Sequence, residues 1–381
     1  MKLDPLPFDA TVADAERRAT DLLSAWQAGD HDALALVAAQ LPRYRDPEYA
    51  WLARPVPDEE LRATPLTLDD ARLAIARAHD FLDWAALVEL AEAVARDAEV
   101  ARFERAVEAV VAGDEARLGL MLEADPALVR ARSTRRAPFD PPGHEATLLH
   151  YVAANGVEHT RQRTPANAVA VAWRLLDGGA DPNATARMYG GRPATMSMLV
   201  SSDHPARAGV QVPLIDVLVA HGASVEAVSD GPWASPLMTA LVFAHRDAAA
   251  ALVRHGARVD RLAAAAGLGR VDDARAHLDG ADAGERHAAL ALAAQNGHAE
   301  VVALLLDAGE DPSRFNPPGF HSHSTPLHQA ALAGHDAVVR ALVEGGARLD
   351  VADRIWHGTP IGWADYGHRP AIVEYLRSKS R

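Results

Sequence analysis

One phrase returns at a fixed interval near the C-terminus. Thr325-Pro326-Leu327-His328-Gln329-Ala330-Ala331 runs to Gly334-His335, and Thr359-Pro360-Ile361-Gly362-Trp363-Ala364 runs to Gly367-His368, 33 residues later. Self-similarity at that period means one supersecondary unit stacked on copies of itself. Each position has a physical reason. Thr325 reads as a helix N-cap and Pro326 as the first helical residue, which needs no N–H. Gly334 reads as the left-handed residue that ends the helix. Val338, Val339, Leu342 and Val343 form an apolar face that a neighbouring unit must bury.

Thr147-Leu148-Leu149-His150 leads to Gly178-Gly179-Ala180, and Thr195-Met196-Ser197-Met198 leads to Gly222-Ala223. Ser235-Pro236-Leu237-Met238 leads to Gly256-Ala257, a clipped copy spans Leu262 to Leu278, and a fuller one spans Ala288 to Asp311. Over about 145–381 the chain closely resembles the ankyrin repeat. The resemblance implies an all-α ankyrin-repeat solenoid of helix-turn-helix units with hairpin-like loops, capped by a helical N-terminal region. Upstream, Leu22 to Val37 and Phe103 to Met121 read as worn repeats about Gly29 and Gly113. Thr67 or an Asp caps a helix after Leu66. It leads to Ala78-His79-Asp80-Phe81-Leu82-Asp83-Trp84, a phrase similar to N-terminal segments of bacterial ankyrin-repeat proteins. Five prolines make 41–65 an irregular connector. The expected division is a helical cap over 1–100 and a solenoid of seven to eight units over 101–381, the first degenerate.

The net charge of −14 argues against a general nucleic-acid binder. No apolar run approaches a membrane span, and residues 1–15 lack the apolar core of a signal peptide, so a cytoplasmic protein is expected. No cysteine is present, which excludes thiolate metal sites and disulfides. Nearly all positive charge is Arg, with Lys2 and Lys379 the only lysines, and the chain is Ala-rich, as in proteins of GC-rich bacterial genomes. Residues 130–207 hold ten arginines against six acids, a basic island that suits an acidic or phosphorylated protein partner.

Departures from the repeat locate candidate binding residues. Thr325 to Gly346 spans 21, whereas Thr147 to Gly179 spans 32 and Thr195 to Gly222 spans 27. The extra lengths fall at 157–165 and 201–207, in adjacent units, and are expected to bring His159, Arg161, Arg163, His204 and Arg207 together on one edge. Two hairpins are also enlarged: Asp181 to Thr195 and Asp311 to Thr325 each span 14, against 9 for Asp350 to Thr359. Ankyrin proteins recognise partners with hairpin tips and the concave face of the first helices. The resemblance therefore implies binding through Tyr189, Arg192, Phe315, Phe320 and Trp356, with His321 and His323 of the same enlarged hairpin as further binding candidates, unless the phenylalanines fold back to seal their own hairpin.

His321 and His323 invite a zinc reading but lack an acidic or thiolate third ligand, and His328 and His150 occupy the repeat's own structural position, so no metal or other cofactor is expected. No nucleophile elbow, zinc-protease motif or phosphate loop is present. The expectation is a monomeric, non-catalytic scaffold for a protein partner. The alternative is a small-anion or metabolite binder, or an unorthodox enzyme, that uses the two insertions as a pocket.

Overall fold

The computed structural model describes residues 4–49, 52–139, 141–231 and 233–380. The chain divides into two compact units, Met1–Ala223 with Val228–Pro232, and Ser224–Ala227 with Trp233–Arg381. Among the described residues all regular structure is helical, and extended chain occurs only as isolated bridges such as Thr185 with Ala194.

The first unit opens with α1 (Val12–Gln27), α2 (His31–Gln40), α3 (Asp58–Ala63), α4 (Leu68–Ala78) and α5 (Trp84–Arg96). Thr11 and Thr67 start α1 and α4 with reciprocal capping boxes to Asp14 and Asp70. The connector 41–65 is less irregular than its prolines suggest. Pro57 stands at the N-cap of α3, and Asp58, Glu59 and Glu60 fill a first turn where the helix dipole favours carboxylates. Leu22, Leu34, Val37, Tyr44, Leu61 and Ile75 form one apolar core here, and Phe81, Leu87 and Leu90 form a second.

Two-helix units follow. The first pairs α6 (Ala98–Ala112) with α7 (Glu115–Ala124) about Gly113, as the worn pattern implied. The second pairs α8 (Leu148–Val152) with α9 (Ala168–Asp177). The third holds α10 (Thr195–Val200), the short α11 (Asp203–Arg207) and α12 (Gln211–Ala220). In α10 the cap is Ala194 and Thr195 lies in the Pro position, so this copy runs one residue out of step with Thr147 and Thr325.

The second unit is more regular. It pairs α13 (Pro236–Val242) with α14 (Arg246–Arg254), α15 (Leu262–Gly267) with α16 (Val271–Leu278), and α17 (Ala283–Asn296) with α18 (Ala299–Asp307). Then come α19 (Pro326–Ala333) with α20 (Asp336–Glu344), and α21 (Pro360–Tyr366) with α22 (Pro370–Lys379). At the start of α19, Thr325 N–H donates to His328 Nδ1 at 3.2 Å. That fixes the ring proton on Nε2, which donates to Gly358 O of the next hairpin at 3.1 Å. A single imidazole thus caps its own helix and ties it to the following unit.

At the other end of the first helices a second tie points backward. His298 Nε2 reaches Gly267 O at 3.0 Å, and His335 Nε2 reaches Gln295 O at 3.0 Å. Gly297 has φ +88°, and a Cβ there would lie 2.8 Å from His335 Nδ1, so glycine serves both the left-handed turn and the seat for the next ring. His368 breaks this series. It takes the left-handed position itself at φ +55°, and Arg369 reaches back instead, donating to Leu332 O at 3.2 Å.

Candidate partner-binding site

The 157–165 insertion does not stand out from the molecule as a free loop. Its short 3-10 turn His159–Arg161 docks onto α6 and onto the phrase 78–84. Asp80 accepts from His159 Nδ1 at 2.9 Å, Thr160 N–H at 2.8 Å and Thr160 Oγ1 at 3.0 Å, acting as a cap supplied from about 80 residues upstream. Arg161 is only 4% exposed. Its Nη2 lies 2.7 Å from Glu104 Oε2 and 3.0 Å from Glu108 Oε1.

Behind Arg161 sits a buried polar cluster. Glu158 Oε1 lies 3.2 Å from His144 Nε2, 3.4 Å from Arg135 Nε and 3.9 Å from Arg161 Nη1. Ala146 N–H donates to His144 Nδ1 at 3.1 Å, so this imidazole presents its Nε2–H to Glu158. Arg135 donates to His79 O at 2.8 Å and lies 3.9 Å over the Phe81 ring. Burial disfavours the Glu158 anion, but His144, Arg161 and Arg135 outweigh it and hold the carboxyl well below the usual range. Burial likewise opposes the Arg161 charge, and the surrounding carboxylates, Glu104 foremost, raise its value well above normal. A phosphate approaching Arg161 would meet carboxylates on every side.

This corrects the expected edge cluster. Arg163 is exposed, 3.9 Å from Glu108, and His159 is held by Asp80. His204 and Arg207 lie on α11, exposed, with Arg207 paired to Asp203 at 2.8 Å. The two insertions are tied to separate partners, because the first is pulled down onto α6 by buried charge. Their bases meet where Asn155 Nδ2 donates to Ser201 Oγ at 2.7 Å and Ser202 Oγ donates to Ala154 O at 3.1 Å. The pattern had one unread signal. Glu104 interrupts an apolar stripe with Phe103, Val107 and Val111, a core position that demands a buried cation.

The enlarged hairpins both fold back. Tyr189, with φ +51°, sends its hydroxyl to Asn155 Oδ1 at 3.0 Å yet remains 44% exposed. Arg192 is exposed beside it, its backbone carbonyl accepting from Ser229 Oγ. His321, with φ +60°, places Nε2 3.0 Å from Val242 O. Phe315 and Phe320 are half-buried, and Arg354 covers the Phe315 ring at 4.1 Å.

In the 350–359 hairpin, Asp353 accepts from the N–H groups of Ile355, Trp356 and Gly358 and from Trp363 Nε1, at 2.7–3.0 Å. Burial alone would raise the Asp353 carboxyl, and these four donors lower it instead. They fix Trp356 with its ring 55% exposed, packed edge-on against His323 at 5.3 Å and Trp363 at 5.9 Å. His321 and His323 meet edge to face with ring centroids 6.0 Å apart, and among the described residues no group of three or more His, Cys, Asp or Glu side chains is placed to hold a metal ion.

The profile described as ankyrin repeats (3 copies) matches residues 262–353 and 290–380. Human cyclin-dependent kinase inhibitor 2A is 35% identical over 127 residues, which is 31% of this chain and 76% of the inhibitor. The chain belongs to the ankyrin-repeat family. Ankyrin repeats are typically modules of protein–protein interaction. A putative E3 ubiquitin-protein ligase of Arabidopsis thaliana is 35% identical over 93 residues, 24% of this chain, and the chain spans about a fifth of that ligase. The human ASB11 ankyrin repeat domain aligns with 72% of this chain and 96% of its own at 18% identity, with a TM-score of 0.37. No helix among the described residues is long and apolar enough to cross a membrane.

Proposed function

We propose that this ankyrin-repeat chain is a non-catalytic, monomeric cytoplasmic scaffold that binds a protein partner through its hairpin tips. The observation that carries this reading is Trp356, its backbone fixed by Asp353, its ring packed edge-on against His323 and Trp363, and the residue left 55% exposed. A preorganised exposed Trp is the commonest kind of interface anchor, because little freedom remains to be lost on binding. Tyr189 and Arg192 offer a second such tip. The cyclin-dependent kinase inhibitors and the ubiquitin ligase among the relatives are named for action on or with other proteins, which supports a protein partner.

The small-anion reading rested on the insertions and loses its central cation, since Arg161 is enclosed by carboxylates. An acidic or phosphorylated partner segment would have to use Arg163, Arg192 and Arg207, which remain exposed. The test compares quantitative affinity capture by the intact chain with capture by Trp356→Ala and by Tyr189→Ala. One tip substitution is expected to lose a specific protein, with binding weakened by about 2 kcal/mol or more. Identical captured sets for all three proteins would sink the reading.

A further inference from the structure

The enlarged hairpin at 311–325 lies along α17. Phe315 O accepts from His287 Nε2 at 2.8 Å near the start of that helix, and His321 meets Gln295 Nε2 at 3.3 Å near its end. Those two points are eight residues apart, about 12 Å of helix. Every residue of α17 from His287 to Asn296 is buried, a cover the hairpin shares with α13, whose Leu241 O accepts from Asn296 Nδ2 at 2.9 Å. The matching stretch of α19 keeps Leu332 half-buried and Ala333 exposed. At Gln295 the hairpin therefore touches a position whose counterpart in α19, Leu332, stays half-buried.

The seat combines aromatic surface with polar fixings, among them Arg354, which lies over the Phe315 ring and donates from Nη1 to Ser322 O at 3.4 Å. The Phe243 ring at the end of α13 lies 6.3 Å from His321, and Val242 O accepts from Gln295 Nε2 as well as His321. Beyond it, His323 rests against Trp356 and Trp363, and its carbonyl accepts from Arg354 N–H at 2.9 Å.

The seated arrangement also carries opposing costs. His321 holds a left-handed backbone that favours glycine. Asn316 is 3% exposed, and neither polar atom of its amide has a hydrogen-bond partner in the protein. Pro317 and Pro318 donate nothing to the backbone, and few internal hydrogen bonds hold the hairpin: Asn316 N to Ser324 O, Phe320 N to Pro317 O and Ser324 N to His321 O.

We propose that Phe315–His323 is a displaceable strap, an internal ligand on the α17 face that gives way to a turn-forming segment of a protein partner that carries proline and ring side chains. The chemistry of that segment follows from what the seat already holds: a proline turn closed by Phe320 N–H on Pro317 O with Gly319 left-handed, and the His321 and His323 rings that meet Phe243, Trp356 and Trp363. The proposal rests on the partner-binding reading above for its biological sense, but its mechanics belong to the isolated chain.

The test therefore uses the isolated chain, so partner capture at Trp356 succeeds or fails independently of it. Hydrogen exchange of the intact protein should show strap amides opening at least tenfold faster than those of α17 and α19. Deleting Pro317–His321 in the full chain restores the nine-residue spacing of the 350–359 hairpin. A labelled peptide of residues 314–324 should bind that variant at least tenfold more tightly than it binds the intact chain. Should the deletion fail to fold, Gln295→Ala in the intact hairpin serves instead, with at least a fivefold rise in strap exchange and none in α19. Strap amides that exchange only with global unfolding, or equal peptide binding by both proteins, would overturn the proposal.

Discussion

In the first unit, distant helices are joined by guanidinium and carboxylate groups sealed away from water, with Arg161 reaching Glu104 and Arg135 reaching Glu158. In the second unit the corresponding work falls to neutral imidazoles donating to backbone carbonyls, as in His328 to Gly358 and His335 to Gln295. Every repeat has carbonyls to offer, so the imidazole tie can be copied at each period. A buried charge accepts few substitutes for its partner, so the ionic clasp fits one place only. Regular stacking and a unique junction thus call for different polar chemistry.

Removing one charge from the clasp is expected to have the largest effect. Arg161→Ala leaves Glu104 and Glu158 buried with less compensation and should cost about 3–5 kcal/mol in urea denaturation. His335→Ala in the second unit removes one hydrogen bond and should cost about 1 kcal/mol. Similar losses would erase the contrast between the units.

Backbone substitutions sharpen the comparison within the second unit. Gly334→Ala adds a Cβ 2.7 Å from Arg369 Nε at φ +90° and should cost about 1–3 kcal/mol. Gly346→Ala, at φ +92° but with nothing within 4 Å, should cost only the backbone part of that. An equal cost at both sites would mean that the seat for the next unit's side chain carries no weight.

The pH response should separate the two chemistries further. Burial lowers the pKa of His298, His328 and His335 in the second unit. A depressed folded value means that the unfolded chain takes up protons first. The stability these rings contribute is thus present above the unfolded value near 6.5 and lost as pH falls through it toward the folded values. Denaturation midpoints of the intact chain and His335→Gln between pH 7.5 and 5 should converge on acidification. His159 runs the other way, its pKa raised by the hydrogen bond to Asp80. Its contribution is full below 6.5 and lost as pH rises through the folded value. With the His159 side chain 68% exposed, His159→Gln should cost no more than about 0.5 kcal/mol at pH 6 and less at pH 8.

What was legible in the sequence followed the range of each interaction. Thr325, His328 and Gly334 were readable because a cap and its ring lie three residues apart and the turn is local. The fate of Phe315, covered by Arg354, was foreseen as one of two outcomes. Arg161 was misread because Glu104 stands 57 residues away and a buried ion pair imposes no period on the chain. The phrase 78–84 was noticed as a resemblance, yet its role as the dock for Thr160 and Arg135 depends on contacts that spacing does not encode. His368 slipped register because Gly367 follows its Thr359 cap by eight residues where Gly334 follows Thr325 by nine, which leaves the histidine in the left-handed ninth place.

The clasp also imposes an order on synthesis. Glu104 leaves the ribosome 57 residues ahead of Arg161, a wait of roughly 3–11 s at about 5–20 residues per second. For much of that interval the Glu104 carboxylate has only Arg135, 3.8 Å away in the folded chain, and not yet the closer Arg161. The clasp as a whole closes only after the insertion has emerged, and a chain stalled before residue 158 would lack both Glu158 and Arg161.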